Sequence, residues 1–130
     1  MTRNRMLANE IRQWLLDHEM WIDVSIYFDG VCYSTMKKKG KNENGGWIYE
    51  FSYNDPNNLF EYPDDPRTYF EYVANPHILS MSFEGPLYDI LNGYYGEFGY
   101  DLEEEFSNIF HKYGVYYELG NAWNLTVTEM

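Results

Sequence analysis

Between residues 4 and 18, Leu7, Ile11, Trp14, Leu15 and His18 recur every three or four positions. That spacing predicts an amphipathic helix, with Arg3, Arg5, Glu10, Arg12 and Asp17 on the other faces. From Trp21 the period shortens to two: Ile22, Val24, Ile26 and Phe28 alternate with Asp23, Ser25 and Tyr27. After Asp29-Gly30 the alternation resumes with Val31, Tyr33 and Thr35. Asp-Gly between alternating runs signals a two-residue hairpin turn, because both residues tolerate positive φ. Such a turn pairs Phe28 with Val31 and Ile26 with Tyr33, and it puts both apolar sets on one face.

Lys37 to Gly46 (KKKGKNENGG) reads as a polar loop, since it holds no core-forming residue. Trp47, Tyr49, Phe51 and Tyr53 then alternate with Ile48, Glu50 and Ser52 as a third strand. A helix and a three-stranded meander are therefore expected over residues 4–53. Residues 54–76 are rich in Asn-Asp-Pro, Pro-Asp-Asp-Pro and Asn-Pro turn chemistry, and Arg67–Ala74 reads as a short helix in preference to a strand. His77–Phe83 reads as a strand, and Gly85-Pro86 opens a short helix that Gly93 closes.

Asp101–Tyr113 carries a helical stripe of Leu102, Phe106, Ile109, Phe110 and Tyr113. Acidic residues crowd its first turns, His111 and Lys112 its last, and Gly114 ends it. Val115–Leu119 and Trp123–Val127 form a second hairpin. A three-residue loop, Gly120-Asn121-Ala122, keeps Val115, Tyr117, Leu119, Trp123, Leu125 and Val127 on one face, whereas a two-residue Gly-Asn turn splits them. The fold class that follows is α+β in one domain, 1–130. It has an N-terminal helix, an antiparallel sheet from two hairpins plus further strands, and helices packed on one face. Ile11, Trp14, Ile26, Phe106, Phe110 and Leu125 are the expected core.

Composition supports a packed chain. It is 45% apolar and 20% aromatic over 130 residues, enough to bury roughly two-thirds of the unfolded surface. Disordered acidic segments lack such aromatics. Cys32 is the single cysteine, so no intramolecular disulfide can form, and a reducing cytosol is the simplest compartment. The amphipathic start in place of an apolar leader, and the lack of any apolar run near ~20 residues, point the same way and exclude a spanning helix.

Charge is divided unequally. Residues 1–41 hold seven basic and five acidic side chains, whereas residues 42–130 hold two basic and sixteen acidic ones. A net charge of −14 over that second stretch repels nucleic acid and anionic membrane and attracts basic protein surfaces.

Dedicated chemistry is sparse. His18, His77 and His111 fall on separate elements without ligand spacing, and no acidic run matches a calcium loop. No metal and no cofactor is therefore expected. Cys32 lies mid-strand without a neighbouring helix N-terminus to lower its pKa. Glu103–Glu105 suits a helix dipole, and no carboxylate pair is placed by sequence to converge on a cleft. The glycines lack a phosphate-loop context, and the lysines of Lys37–Lys41 read as a solvated loop.

Tyrosines interleaved with carboxylates carry the functional expectation. Glu50, Glu61, Tyr62, Asp64, Asp65, Tyr69 and Glu71 are the candidate binding residues, and Tyr88, Tyr94, Tyr95 and Tyr100 lie among Asp89, Glu97, Asp101 and Glu103–Glu105. Such surfaces combine large rigid contact area with charge that steers a basic partner. A carboxylate array can also imitate a nucleic-acid backbone.

Over Asn75–Tyr95 (NPHILSMSFEGPLYDILNGYY) and Tyr113–Val127 (YGVYYELGNAWNLTV) the chain resembles small accessory proteins of mobile elements in Gram-positive bacteria. In size and acidity it is similar to antirestriction and anti-CRISPR proteins that occupy a DNA-binding groove. That likeness implies function without catalysis. The expected activity is a non-enzymatic, cytosolic protein-binding module for a basic surface, in its sharpest form a mimic that blocks a nucleic-acid-binding protein. The alternative is a small hydrolase or carbohydrate-type binder with an aromatic and carboxylate cleft.

Overall fold

The amphipathic stretch forms α1 (Arg3–Asp17) in the computed structural model, which covers residues 1–130. Thr2 caps it, its Oγ1 accepting from the Arg5 amide at 3.1 Å, which satisfies one free donor of the first turn. Leu7, Ala8, Ile11 and Leu15 of α1 are fully buried. β1 (Val24–Phe28) and β2 (Val31–Ser34) follow as a hairpin that pairs Phe28 with Val31 and Ile26 with Tyr33. Asp29 and Gly30 have φ of 49° and 79°, the left-handed pair that such a turn needs.

The meander expected next does not form. Thr35 ends β2 by donating from its amide to the Val24 carbonyl at 3.1 Å and accepting from the Val24 amide at Oγ1. The chain then leaves the sheet. β3 (Met36–Lys41) pairs with β4 (Trp47–Phe51) in a separate two-stranded ribbon. The lysine run is thus a strand, and its side chains find partners a loop would not offer. Lys38 and Lys41 lie over the Trp47 ring at 4.5 and 4.8 Å, and Lys37 pairs with Glu50 at 3.6 Å. Apolar stems against an aromatic face, with charges at the rim, suit a half-solvated ribbon.

The second neighbour of β2 is β5 (Phe60–Pro63). A 3-10 turn, Pro66–Thr68, follows, and residues 69–79 form no helix. The short helix expected over Arg67–Ala74 is replaced because this segment packs by single side chains. Phe70 and Ala74 are buried, and the Ala74 amide donates to Thr126 Oγ1. β6 (Ser80–Phe83) leads to Gly85, where a Cβ would lie 2.5 Å from the Ile22 carbonyl oxygen. α2 (Pro86–Leu91) and α3 (Gly96–Lys112) come next. α3 begins six residues before the apolar stripe does.

β7 (Val115–Asn121) and β8 (Asn124–Glu129) complete the chain. Leu119 pairs with Leu125 and Asn121 with Asn124, so the turn is Ala122-Trp123 and the register differs by two residues from the three-residue loop expected. The asparagines decide this. Asn124 Oδ1 accepts from the Asn121 amide, and Asn121 Oδ1 from the Trp123 amide, both at 2.9 Å. A slip of two leaves Leu125 and Val127 on the core face, but Trp123, now in the turn, packs against Phe70 on the opposite face and not with them as expected.

The six-stranded sheet has the order β5-β2-β1-β6-β8-β7, all antiparallel. The fold is α+β, as the pattern predicts. Helical residues Leu7, Ile11, Leu87, Ile90, Phe106 and Phe110 share one core with Val24, Ile26, Phe28, Met81, Phe83, Leu125 and Val127 of the sheet. Of the six expected core residues, five are fully or almost fully buried, and Trp14 packs half-buried at the margin against His18 and Phe106.

Candidate functional site

The strands that turn Val24, Ile26, Tyr33, Met81, Phe83, Leu125 and Val127 toward the helices must turn alternate residues to the opposite face. Cross-strand pairing aligns those residues in rows. Ser34, Ser25, Ser82 and Asn124 stand side by side across four strands, and Cys32, Tyr27, Ser80 and Thr126 form the next row. On this face β5 contributes Phe60 opposite Ser34 and Tyr62 opposite Cys32.

The irregular segment after β5 covers the second row. Phe70 packs edge-on to Tyr27 at 5.5 Å and to Trp123 at 5.9 Å, closing a small cluster over Cys32. His77 and Ala74 engage the Ser80 and Thr126 hydroxyls. In the first row Ser25 and Ser82 stay half-exposed, whereas Ser34 and Asn124 are buried. Between this cover and the β3–β4 ribbon lies a cleft of about 1260 Å³, with Ser25, Ser34 and Ser82 among its lining residues. Tyr49 and Phe51 of the ribbon line one wall; Tyr69, Phe70 and Trp123 line the other.

The polar groups of the cleft are held in place. The Ser25 and Ser34 hydroxyls bond each other at 2.8 Å, Ser34 Oγ accepts from the Met36 amide, and the Tyr62 hydroxyl donates to the Met36 carbonyl at 3.0 Å. Ser82 Oγ is half-exposed and bonds nothing within the chain. Burial pushes the Tyr62 phenol up to about 12 and the Cys32 thiol up to about 12, with the neighbouring Asp64 charge also raising the thiol. Burial likewise raises the Tyr27 phenol. At neutral pH these groups are protonated donors, not nucleophiles or bases. No histidine lines the cleft.

Four of the seven residues singled out by sequence, Glu61, Tyr62, Asp64 and Tyr69, border this cleft. Tyr62 faces into it. Glu61, one residue off in the alternation, turns its carboxylate to Arg5 of α1. Asp64 accepts from the Tyr69 hydroxyl at 3.3 Å. Glu50 lies on the ribbon beside Lys37, Asp65 caps the 3-10 turn and binds Arg67 at 2.9 Å, and Glu71 is exposed without a polar partner. Three of the five acids in this set are thus already ion-paired. The serine row was missed because polar residues at alternate strand positions look the same whether they face bulk water or a cleft.

Free negative charge collects elsewhere. No lysine or arginine occurs between Arg67 and Lys112, while Glu84, Asp89, Glu97, Asp101, Glu103, Glu104 and Glu105 fall within that interval. None of them pairs with a lysine or arginine, and only Glu105 has a histidine within 4 Å, His18 at 3.9 Å. At the α2–α3 junction Tyr94, Tyr95, Phe98 and Tyr100 are 69, 49, 70 and 60% exposed. Tyr88 stacks on Tyr94 with centroids 6.1 Å apart. Together these make an exposed aromatic surface set among carboxylates that pair with no lysine or arginine. Comparison with protein-family models, with curated proteins and with solved structures finds no match for this chain.

Proposed function

We propose that this chain is a non-enzymatic protein-binding module that docks a basic surface through the α2–α3 face. The observation that carries the reading is the exposure of Tyr94, Tyr95, Phe98 and Tyr100 among carboxylates that no cation offsets. Aromatics supply contact area with few rotors to freeze, and they are enriched at the centres of interfaces. The surrounding charge speeds encounter with a basic partner and rejects acidic ones.

A nucleic-acid-binding groove is the sharpest form of that partner. Glu97, Asp101, Glu104 and Glu105 succeed one another along exposed turns of α3, one turn advancing about 5.4 Å. A row of regularly spaced fixed negative charges is what a phosphate-binding groove is built to accept. No helix is long and apolar enough to cross a membrane, and a cytosolic setting agrees with the single, buried, free cysteine.

Affinity capture from host lysate, with parent and variant side by side, tests the reading. Phe98→Ser combined with Asp101→Lys is expected to abolish capture of a basic protein while circular dichroism stays unchanged, since both side chains are exposed. Capture by the parent should weaken as salt rises. Duplex DNA should displace the captured protein without binding the module itself. Equal capture by parent and variant overturns the docking face, and direct DNA binding at physiological salt overturns the mimicry.

A further inference from the structure

We propose that the cleft on the helix-free face of the sheet is a second binding site, for a neutral oligosaccharide. It goes beyond the docking reading, because it uses the opposite side of the sheet and different residues. Four features select this ligand class.

The first is extent. At about 1260 Å³ the cleft exceeds the roughly 300–1,000 Å³ of pockets that enclose drug-sized ligands. A chain of several units fits it better than a single small molecule.

The second is the floor. β2, β1 and β6 are each hydrogen-bonded to neighbours on both sides. The floor therefore has no free backbone edge onto which an extended peptide could add as a strand. What it presents instead are the half-exposed hydroxyls of Ser25 and Ser82, the Ser34 hydroxyl being buried and bonded to Ser25. Each can donate and accept, as a sugar hydroxyl also must. Ser82 has both capacities unused within the chain.

The third is the walls. A sugar ring has an apolar C–H face and a polar edge. Tyr49 and Phe51 on one wall and Tyr69 and Trp123 on the other offer flat apolar surface beside hydroxyl donors. The Tyr62 hydroxyl, whose proton goes to the Met36 carbonyl, can accept from a sugar hydroxyl.

The fourth is charge. The lining holds Asp23, Asp64 and Glu84 against Lys37 and Lys38; Glu61 borders it too, but its carboxylate turns to Arg5. Lys37 is engaged by Glu50 and by the Phe60 ring at 4.7 Å. Lys38 is then the one lining cation without a carboxylate partner, so a polyanion finds little counter-charge, while Asp23, Asp64 and Glu84 can accept from neutral hydroxyls.

The test uses the full chain and a panel of neutral tri- to hexasaccharides: cello-, xylo-, malto- and N-acetyl-chito-oligosaccharides. Binding is followed by calorimetry and by amide chemical shifts. At least one series is expected to bind with affinity rising with chain length, shifting amides of Ser25, Ser82 and Trp123. Ser82→Ala, which removes a hydroxyl without stranding a partner, and Tyr49→Ala should each weaken binding about tenfold with the melting temperature unchanged. The Phe98→Ser, Asp101→Lys protein should bind the same sugar as the parent. Lack of binding by all four series at millimolar concentration overturns the proposal. So does full affinity in both cleft variants, or preference for heparin or an extended peptide at these amides.

Discussion

Arg5 on α1 grips Glu61 on the edge strand β5, donating through Nη1 and Nη2 to its two carboxylate oxygens at 3.3 and 3.1 Å. The same guanidinium lies 5.1 Å from the Phe28 ring centroid and donates to the Tyr33 hydroxyl at 2.9 Å. One side chain therefore ties the first helix to three strands. Both partners are about a third exposed, so solvent screens the pair. Arg5→Ala is expected to lower unfolding free energy by about 1 kcal/mol. Arg5→Lys should recover only part of that, since an ammonium cannot fork to two oxygens. Urea titrations of the three proteins check this, and the loss on Arg5→Ala should shrink at high salt.

Gly30 at φ 79° completes the β1–β2 turn, with open space where a Cβ would stand. Backbone strain, not collision, should dominate any substitution. Gly30→Val is expected to destabilise by more than about 1 kcal/mol, because β-branched residues resist positive φ. A thermal melt equal to the parent's would refute the turn assignment.

Phe106 is fully buried and packs on Phe110 at 5.0 Å, Tyr117 at 5.4 Å and Trp14 at 5.5 Å. Truncating it removes contacts from α1, from α3 and from β7 at once. Phe106→Ala should cost roughly 3–5 kcal/mol, as for other buried aromatics. Chemical denaturation measures that loss. A cost below 1 kcal/mol would mean the cavity collapses freely.

His77 titrates below its ordinary value because burial disfavours the imidazolium, with the nearby Arg67 charge acting in the same direction. The folded protein therefore binds this proton less readily than the unfolded chain does. Its contribution is fully present above the ordinary histidine pKa of about 6.5 and is lost as pH falls through the depressed folded value. His77→Gln should flatten the stability profile across that window. Asp65 and Glu129, whose carboxyls bonding to Arg67 and Arg3 holds below the usual range, govern a further loss at lower pH. The difference between variant and parent profiles isolates His77.

Much of the helix-facing half was legible before any coordinates. Period-3.6 stripes placed Ile11, Phe106 and Phe110, and period-two runs placed Ile26 and Leu125, because water drives such residues to one side wherever that side comes to lie. The Asp29-Gly30 turn was legible for a local reason, its positive φ. The site was legible only in part. Tyr62 and Tyr69 stood out as aromatics among acids, but the serine row did not.

The sequence by itself determined which residues form α1, the β1–β2 hairpin and the apolar faces of β1, β2, β6 and β8, since those depend on neighbours a few positions away. Partners over long separations were decided only by the tertiary structure. β4 left the sheet to pair with the lysine strand, and β5 took its place beside β2. Arg5 met Glu61 across the fold, and two asparagines reset the last turn by two residues. Ser34, Ser25 and Ser82 became one row because three strands brought them into register. Alternation states which way a side chain points, but only strand order and cover determine what it points at.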